Sequence, residues 1–411
     1  MARTKSNNDS DKGKQKSDTQ SAFDKAKQAI TKEYGTDTLI KPLSEVLPVS
    51  YISTGIFTID LALLGGITDG NYNLLYGNKN VGKTSVSILA GRNGLIKYPD
   101  SKLLYVRTEP HFDKSYVEQL FGDVSGRVHV LEDFLTIEAC TDIIEELLLT
   151  GEFSFVIFDS LAFFDTEDRD EKSAFDEEKM AQKAKKVGRL ISTITMCGMK
   201  LRKAGFKRPT ILLINQFIAS MSQYGSPNAL PAGKRPQQVA VSEIELRAGK
   251  PKQAKGDWGY ADHSSDQIIA IETEFKLNKD KGVYRNTGMY RFVKSDAHPR
   301  LMTGDIDEFV FTVNQAKKFG FIFGGGSKQK IACYENETFA TMQLMAEKLF
   351  IDTDKYKELQ ASIIAVVRVS CGKSPLPHDN NLLNTDPKKI NEILKLREKW
   401  ALEKDSKSAK K

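Results

Sequence analysis

A chain of 411 residues, 40% of them hydrophobic, exceeds the size of one small domain and has material for one large α/β core with smaller appendages. Its formal charge of +6, from 60 Lys and Arg against 54 Asp and Glu, is compatible with a polyanion partner but is far from that of a histone-like tail protein. No apolar run approaches the roughly eighteen residues of a membrane span, the N-terminus lacks the basic-then-apolar pattern of a leader, and Cys140, Cys197, Cys333 and Cys371 form no CxxC pair for zinc or a disulfide framework. These features lead us to expect a cytoplasmic protein with reduced thiols.

Residues 1–20 mix charges with Ser, Asn and Gly without apolar periodicity and are expected to form a disordered arm. From Ser21, the spacing of Phe23, Ala26, Ile30 and Tyr34 predicts one amphipathic helix that stops at Gly35, within a segment 21–49 that precedes the core. A core over 50–325 then alternates strand-length apolar runs (YNLLYG, KLLYVRTE, VHVLE, FSFVIFDS, TILLINQ) with helical stretches. That alternation predicts βαβ units and a mostly parallel central sheet. A polar, Gly/Pro/Lys-rich passage over 217–262 is expected as a long loop, since unpatterned insertions in a compact core tend to be functional. Strands resume at DQIIAIETEF and GMYRFVKS, and residues 326–411 are expected as a small helical C-terminal domain with a basic tail.

The strongest motif is Gly77-Asn78-Lys79-Asn80-Val81-Gly82-Lys83-Thr84, a full G-x-x-x-x-G-K-[ST] P-loop between a strand and a helix. Its glycines let backbone N–H groups curl around phosphate oxygens, Lys83 neutralises the β- and γ-phosphates, and Thr84 is expected to hold Mg²⁺, with Ser85 closing the binding stretch. Asp159 ends the apolar run Phe155–Phe158, where ligands bind at the carboxyl edge of open parallel sheets, and is read as the second Mg²⁺ carboxylate. Glu109 ends another strand and is the candidate to orient and polarise the attacking water, although a solvated strand-end glutamate has the same appearance. The five histidines show no metal-ligand spacing.

The order and spacing of ITKEYGTDTLI, ISTGIFTIDLALLGGITDGNYNLLYGNKNVGKT and the segment Glu109-Pro110-His111-Phe112-Asp113-Lys114-Ser115-Tyr116 resemble bacterial RecA and phage UvsX-type recombinases, over about residues 21–325. The resemblance implies a RecA-like P-loop ATPase core with a short N-terminal polymerisation helix and a small C-terminal domain. It further implies a catalytic role for Glu109 and adenine contacts from Asp113 and Tyr116. Gln216 would sense the γ-phosphate, and Lys294 would reach a neighbour's ATP, although the second basic position of that strand is Asp296 here.

The 217–262 passage stands where the family has its second DNA-binding loop. Lys234, Arg235, Arg247, Lys250, Lys252 and Lys255, interleaved with Tyr224, Trp258 and Tyr260, suit single-stranded DNA, with phosphate tracking and base stacking. Composition alone fits an ordinary solvated loop equally, and its place directly after Gln216 favours DNA. The lysine-rich stretch with Lys183, Lys185, Lys186 and Arg189 reads first as solvated surface. The expected protein is an ATP- and Mg²⁺-dependent recombinase that self-associates into a filament on single-stranded DNA, pairs it with homologous duplex, and works with single-strand-binding and mediator proteins. A hexameric helicase and a non-catalytic ATP-binding paralogue or mediator are the alternatives.

Overall fold

The computed structural model describes residues 11–34, 42–46, 48–109, 113–134, 136–164, 177–219, 228–249, 251–253, 268–279, 284–295 and 301–408. The chain divides into two units, Met1–Pro48 and Val49–Lys411. The first carries α1 (Asp11–Tyr34), which takes in the second half of the segment expected as a disordered arm. Its added turns are rich in Lys and Gln, fair helix formers that need no apolar face to propagate a helix already started. Phe23 on α1 is 55% exposed.

The second unit opens with β1 (Tyr51–Ile52), α2 (Phe57–Leu63) and β2 (Ile67–Thr68), which pairs back on β1. The predicted alternation follows as β3 (Tyr72–Gly77), α3 (Lys83–Lys97), β4 (Lys102–Arg107), α4 (Lys114–Phe121), β5 (Val128–Leu131), α5 (Ile137–Leu149), β6 (Phe153–Asp159), α6 (Glu177–Lys203) and β7 (Thr210–Gln216). The passage expected as one loop holds β8 (Ile218–Ala219) paired with β9 (Asn228–Ala229), then α7 (Arg235–Val239), β10 (Ser242–Arg247) and β11 (Pro251–Gln253). Beyond it lie β12 (Ile268–Leu277) and β13 (Thr287–Val293).

The main sheet runs β12-β10-β3-β7-β6-β4-β5, with β13 and β11 also on β12. It is parallel from β10 to β5 and antiparallel at β12 and β13. Strand residues alternate between two cores, as a sheet covered on both faces requires. Leu75, Tyr105, Phe155 and Ile157 meet Val86, Ile88 and Leu95 of α3, whereas Leu74, Leu104, Val156 and Phe158 meet Ile144 of α5 and Leu190 and Ile194 of α6.

β10 is the main correction to the loop expectation. Ile244 and Leu246 are buried on one face, and Glu243, also buried, accepts a hydrogen bond from Gln237 Nε2 at 3.2 Å. The strand is a full member of the sheet, so its acidic residues are structural.

The C-terminal part comprises α8 (Phe309–Lys318), β14 (Ile322–Phe323), β15 (Gln329–Ile331), β16 (Tyr334–Phe339), α9 (Met342–Ile351), α10 (Thr353–Ser370) and α11 (Pro387–Ser408). It shares a core with α2: Phe57, Leu61 and Leu64 pack with Val313, Phe321, Leu349, Ile363 and Trp400. The boundary expected after 325 therefore falls inside a core that already includes α8. Just before α8, the buried Glu308 carboxylate accepts from the N–H groups of Phe57 (2.7 Å) and Thr58 (3.0 Å), satisfying the first donors of α2.

Candidate functional site

β3, β4, β6 and β7 deliver Gly77, Arg107, Asp159 and Gln216 to one edge of the sheet, the carboxyl edge on which open α/β sheets bind ligands. Gly77 lies in register with Gln216 on one side and Leu246 on the other. A Cβ at Gly77, where φ is 152°, would stand 2.1 Å from the Leu246 carbonyl oxygen, so the turn requires glycine. Gly82, at φ 86°, forms the N-cap of α3 and releases the chain into a helix whose first N–H groups face the loop.

Lys83 is the first residue of α3 and is buried. Its Nζ donates to the carbonyls of Gly77 (3.3 Å) and Asn78 (2.7 Å), which holds the ammonium under the loop. Burial lowers its pKa, against the opposing pull of Glu109 and Asp159.

Thr84 Oγ1 donates to Asp159 Oδ2 at 2.8 Å, and the Tyr105 hydroxyl donates to the same oxygen at 2.5 Å. Asp159 Oδ1 is buried and has no hydrogen-bond partner among the described residues. Burial raises the Asp159 pKa, while the bonds from Tyr105 and Thr84 and the charge of Lys83 work against it. A carboxylate with one satisfied and one unsatisfied buried oxygen, beside a hydroxyl, fits a hydrated divalent cation such as Mg²⁺. No three His, Cys, Asp or Glu side chains among the described residues could cage a metal alone, so such an ion would need oxygens from its ligand.

Glu109 follows β4. Its Oε1 accepts from Ser160 Oγ at 3.3 Å, and Ser160 is fixed in turn by Thr108, whose Oγ1 donates to Ser160 O (2.6 Å) and accepts from Ser160 N (2.7 Å). Burial, then Asp159, raises the Glu109 pKa, with Lys83 lowering it.

At the far end of the cleft, Asp113 is the N-cap of α4 and accepts from Tyr116 N at 3.1 Å, so this carboxylate already serves the helix. Tyr116 shares a 2.7 Å hydrogen bond with Ser85 Oγ, which ties the ring to the helix that follows the P-loop. Lys79, Asn80, Gly82, Lys83, Thr84, Ser85, Glu109, Asp113, Tyr116, Asp159, Gln216 and Lys294 all line this one cleft of about 640 Å³. Lys294, expected to act on a neighbour, is exposed on the rim of its own subunit's cleft. Tyr105, Arg107, Thr108 and Ser160 were not singled out from sequence. Tyr105 and Arg107 carried a signal, since both share a strand face with a residue at an edge already flagged by Glu109.

Of the residues expected on DNA, the structure describes Lys234, Arg235 and Arg247 with their side chains. Lys234 and Arg235 are exposed at the start of α7, while Arg247 sits on β10 and bonds Glu245 at 2.7 Å. Lys252 lies on β11, its side chain outside the described part, and Lys250, Lys255, Trp258 and Tyr260 lie outside the described residues, as do His111, Tyr224 and Asp296. On α6, Lys186 pairs with Glu138 at 2.7 Å.

The family model for the RecA N-terminal domain matches residues 21–281, more than half of the chain. The chain belongs to the RecA family. It is 26% identical over 232 residues to Protein RecA of Sulfurimonas denitrificans, covering 56% of this chain and 64% of that one. It is 26% identical over 265 residues to Protein RecA of Cytophaga hutchinsonii, covering 61% and 66%. Protein RecA of Bacillus thuringiensis is 26% identical over 270 residues, covering 64% and 72%. The chain thus spans a little under two thirds of the first two relatives' length. The RecA-family match takes in β1 to β12 and the whole cleft lining except Lys294, and ends within the β12–β13 connection. No helix among the described residues is long and apolar enough to cross a membrane.

Proposed function

We propose that this chain is an ATP-dependent DNA recombinase that forms a filament on single-stranded DNA and promotes pairing and strand exchange with homologous duplex. The observation that carries the reading is the junction of Thr84, Asp159 and Glu109 in the P-loop cleft, with the buried Asp159 Oδ1 unpaired. Lys83 and the N–H groups around Gly82 would bind the phosphates, and the Tyr116 ring would pack against the base. Thr84 and Asp159 would hold Mg²⁺, which supplies neutralising charge to the phosphates when bound. Glu109, held by Ser160, would orient a water and take its proton. Gln216, in register with Gly77, would register the state of the phosphate site and pass it into the segment that follows β7.

Binding of ATP would favour the DNA-bound filament and hydrolysis would release it, a population shift driven by differential affinity. Self-association through α1 and cooperation with single-strand-binding and mediator proteins belong to the same reading. The test is ATP turnover with and without single-stranded DNA, in the native protein and in K83A. We expect stimulation by DNA and its loss in K83A; DNA-independent turnover, or an unimpaired K83A, would sink the reading. A second reading, an ATP-binding paralogue or mediator without strand exchange, is favoured by Asp296 in place of a basic residue. Strand-exchange assays separate the two, and a closed ring in micrographs would instead indicate a hexameric helicase.

A further inference from the structure

The parallel register sets Arg107 beside Asp159 on β6, and one step beyond the last β4–β5 pair, Val106 with Leu131, it faces Glu132. Past Arg107 the sheet loosens its hold on the chain: Thr108 N bonds Asp159 O at 2.9 Å, but Glu109 N reaches the same oxygen only at 3.4 Å. The Arg107 guanidinium takes over at that point. Its Nε donates to the Glu109 carbonyl at 3.1 Å, and its Nη1 bonds the Glu132 carboxylate. We propose that Arg107 is the positioning residue for Glu109, clamped by Glu132 at the end of the edge strand β5. This rests on the hydrolytic role proposed for Glu109.

The grip is geometric. Burial and then Asp159 raise the proton affinity of Glu109, against Lys83, Ser160 and Lys79, whereas Arg107 holds the Glu109 backbone. The planar guanidinium can reach a backbone carbonyl and a carboxylate at once in fixed directions, which the rotating ammonium of lysine does not reproduce. The clamp is also asymmetric in exposure, with the Arg107 side chain 24% exposed and that of Glu132 44% exposed. The outer half can therefore be removed without opening the core.

The test uses the full chain and compares kcat, nucleotide affinity and melting temperature for R107A, R107K, E132A and the R107A/E132A double variant, with E109Q as reference. Misplacing a catalytic group by a fraction of an ångström to an ångström costs up to about a hundredfold in rate, so R107A should lower kcat by about tenfold or more. Its nucleotide affinity should stay within about twofold of the native value. E132A should lose less, R107K should not recover the native rate, and the double variant should be no slower than R107A, because the two side chains act as one unit.

Native kcat in R107A beside a slow E109Q overturns the positioning role and leaves the ATPase reading intact. Full rescue by R107K, or a parallel loss of kcat, affinity and melting temperature, overturns it as well. Absence of turnover in the native protein overturns the ATPase reading, and this proposal with it.

Discussion

Glu109 and Asp159 stand on neighbouring strand ends, and the charge of Asp159 adds to burial in raising the proton affinity of Glu109. A general base must be unprotonated, so turnover should fall as pH drops through a value above the ordinary Glu range of about 4.3. In E109Q that limb should be missing, and kcat should fall by about 10²–10⁴ while ATP binding persists, because a carboxamide can hold a water but not deprotonate it. A kcat–pH profile of both proteins checks this, and native turnover in E109Q would move the catalytic role elsewhere. The residue-level site was legible where chemistry and motif coincide, as at Lys83, Thr84 and Asp159. Its structural side was less legible: the resemblance implies a base contact for Asp113, and the structure adds that its Oδ1 caps α4. Arg107 escaped notice because its partners, Glu109 O and Glu132, meet it only through backbone direction and strand register.

At the scale of elements, α2 depends on a residue far along the chain. Burial pushes the Glu308 carboxyl from 4.5 up to about 7, and Asp60 on α2 from 3.8 up to about 6. A folded pKa above the unfolded one means that the native state holds the extra proton. The associated stability is complete below the unfolded value and is lost as pH rises through the folded one. Urea midpoints should therefore decline between pH 5 and 8 by more in the native protein than in E308Q, on the order of 1 kcal/mol for each tenfold gain in proton affinity on folding. Asp60 titrates in both proteins, and its charge is one of the causes that raise Glu308, so the difference reports Glu308 together with that coupling; equal slopes would refute the assignment to Glu308.

Elements with strong period were legible in the sequence, and β10 was not. Its six residues carry two apolar side chains, Ile244 and Leu246, among acids and a cation, within a largely polar passage rich in Gly, Pro and Lys. Only the neighbouring strands turn that short alternation into a buried strand. α1 poses the opposite case, a helix with an exposed Phe23 and, among the described residues of its unit, no buried cluster. Removing residues 1–35 should leave a nucleotide-binding protein that sediments as small species in the presence of ATP and DNA; persistent filaments would end the polymerisation role of α1.

For the whole molecule, Lys234, Arg235 and Arg247 are the residues expected on DNA that are described and exposed; Arg247 bonds Glu245, and Lys234 and Arg235 stand together at the start of α7. Replacing both with Ala should weaken single-stranded DNA binding and lower the slope of log affinity against log salt by about 0.7 for each lost phosphate contact. Turnover without DNA should persist, since the phosphate cleft is built from other strands. An unchanged slope would place the DNA path elsewhere. The route of the chain between β7 and β10 bears on how this protein could change over evolution. The segment leaves the sheet at Gln216 and re-enters as β10, and both strands flank β3 and meet Gly77 in register. The two anchor strands are held to the P-loop because the Leu246 carbonyl already occupies the space a side chain at residue 77 would need, and within the segment Ala232 and Ala240 are buried in the core. Exposed positions of the segment are thus open to change towards new ligands, whereas its points of departure and return are tied by packing to the P-loop glycine as one unit.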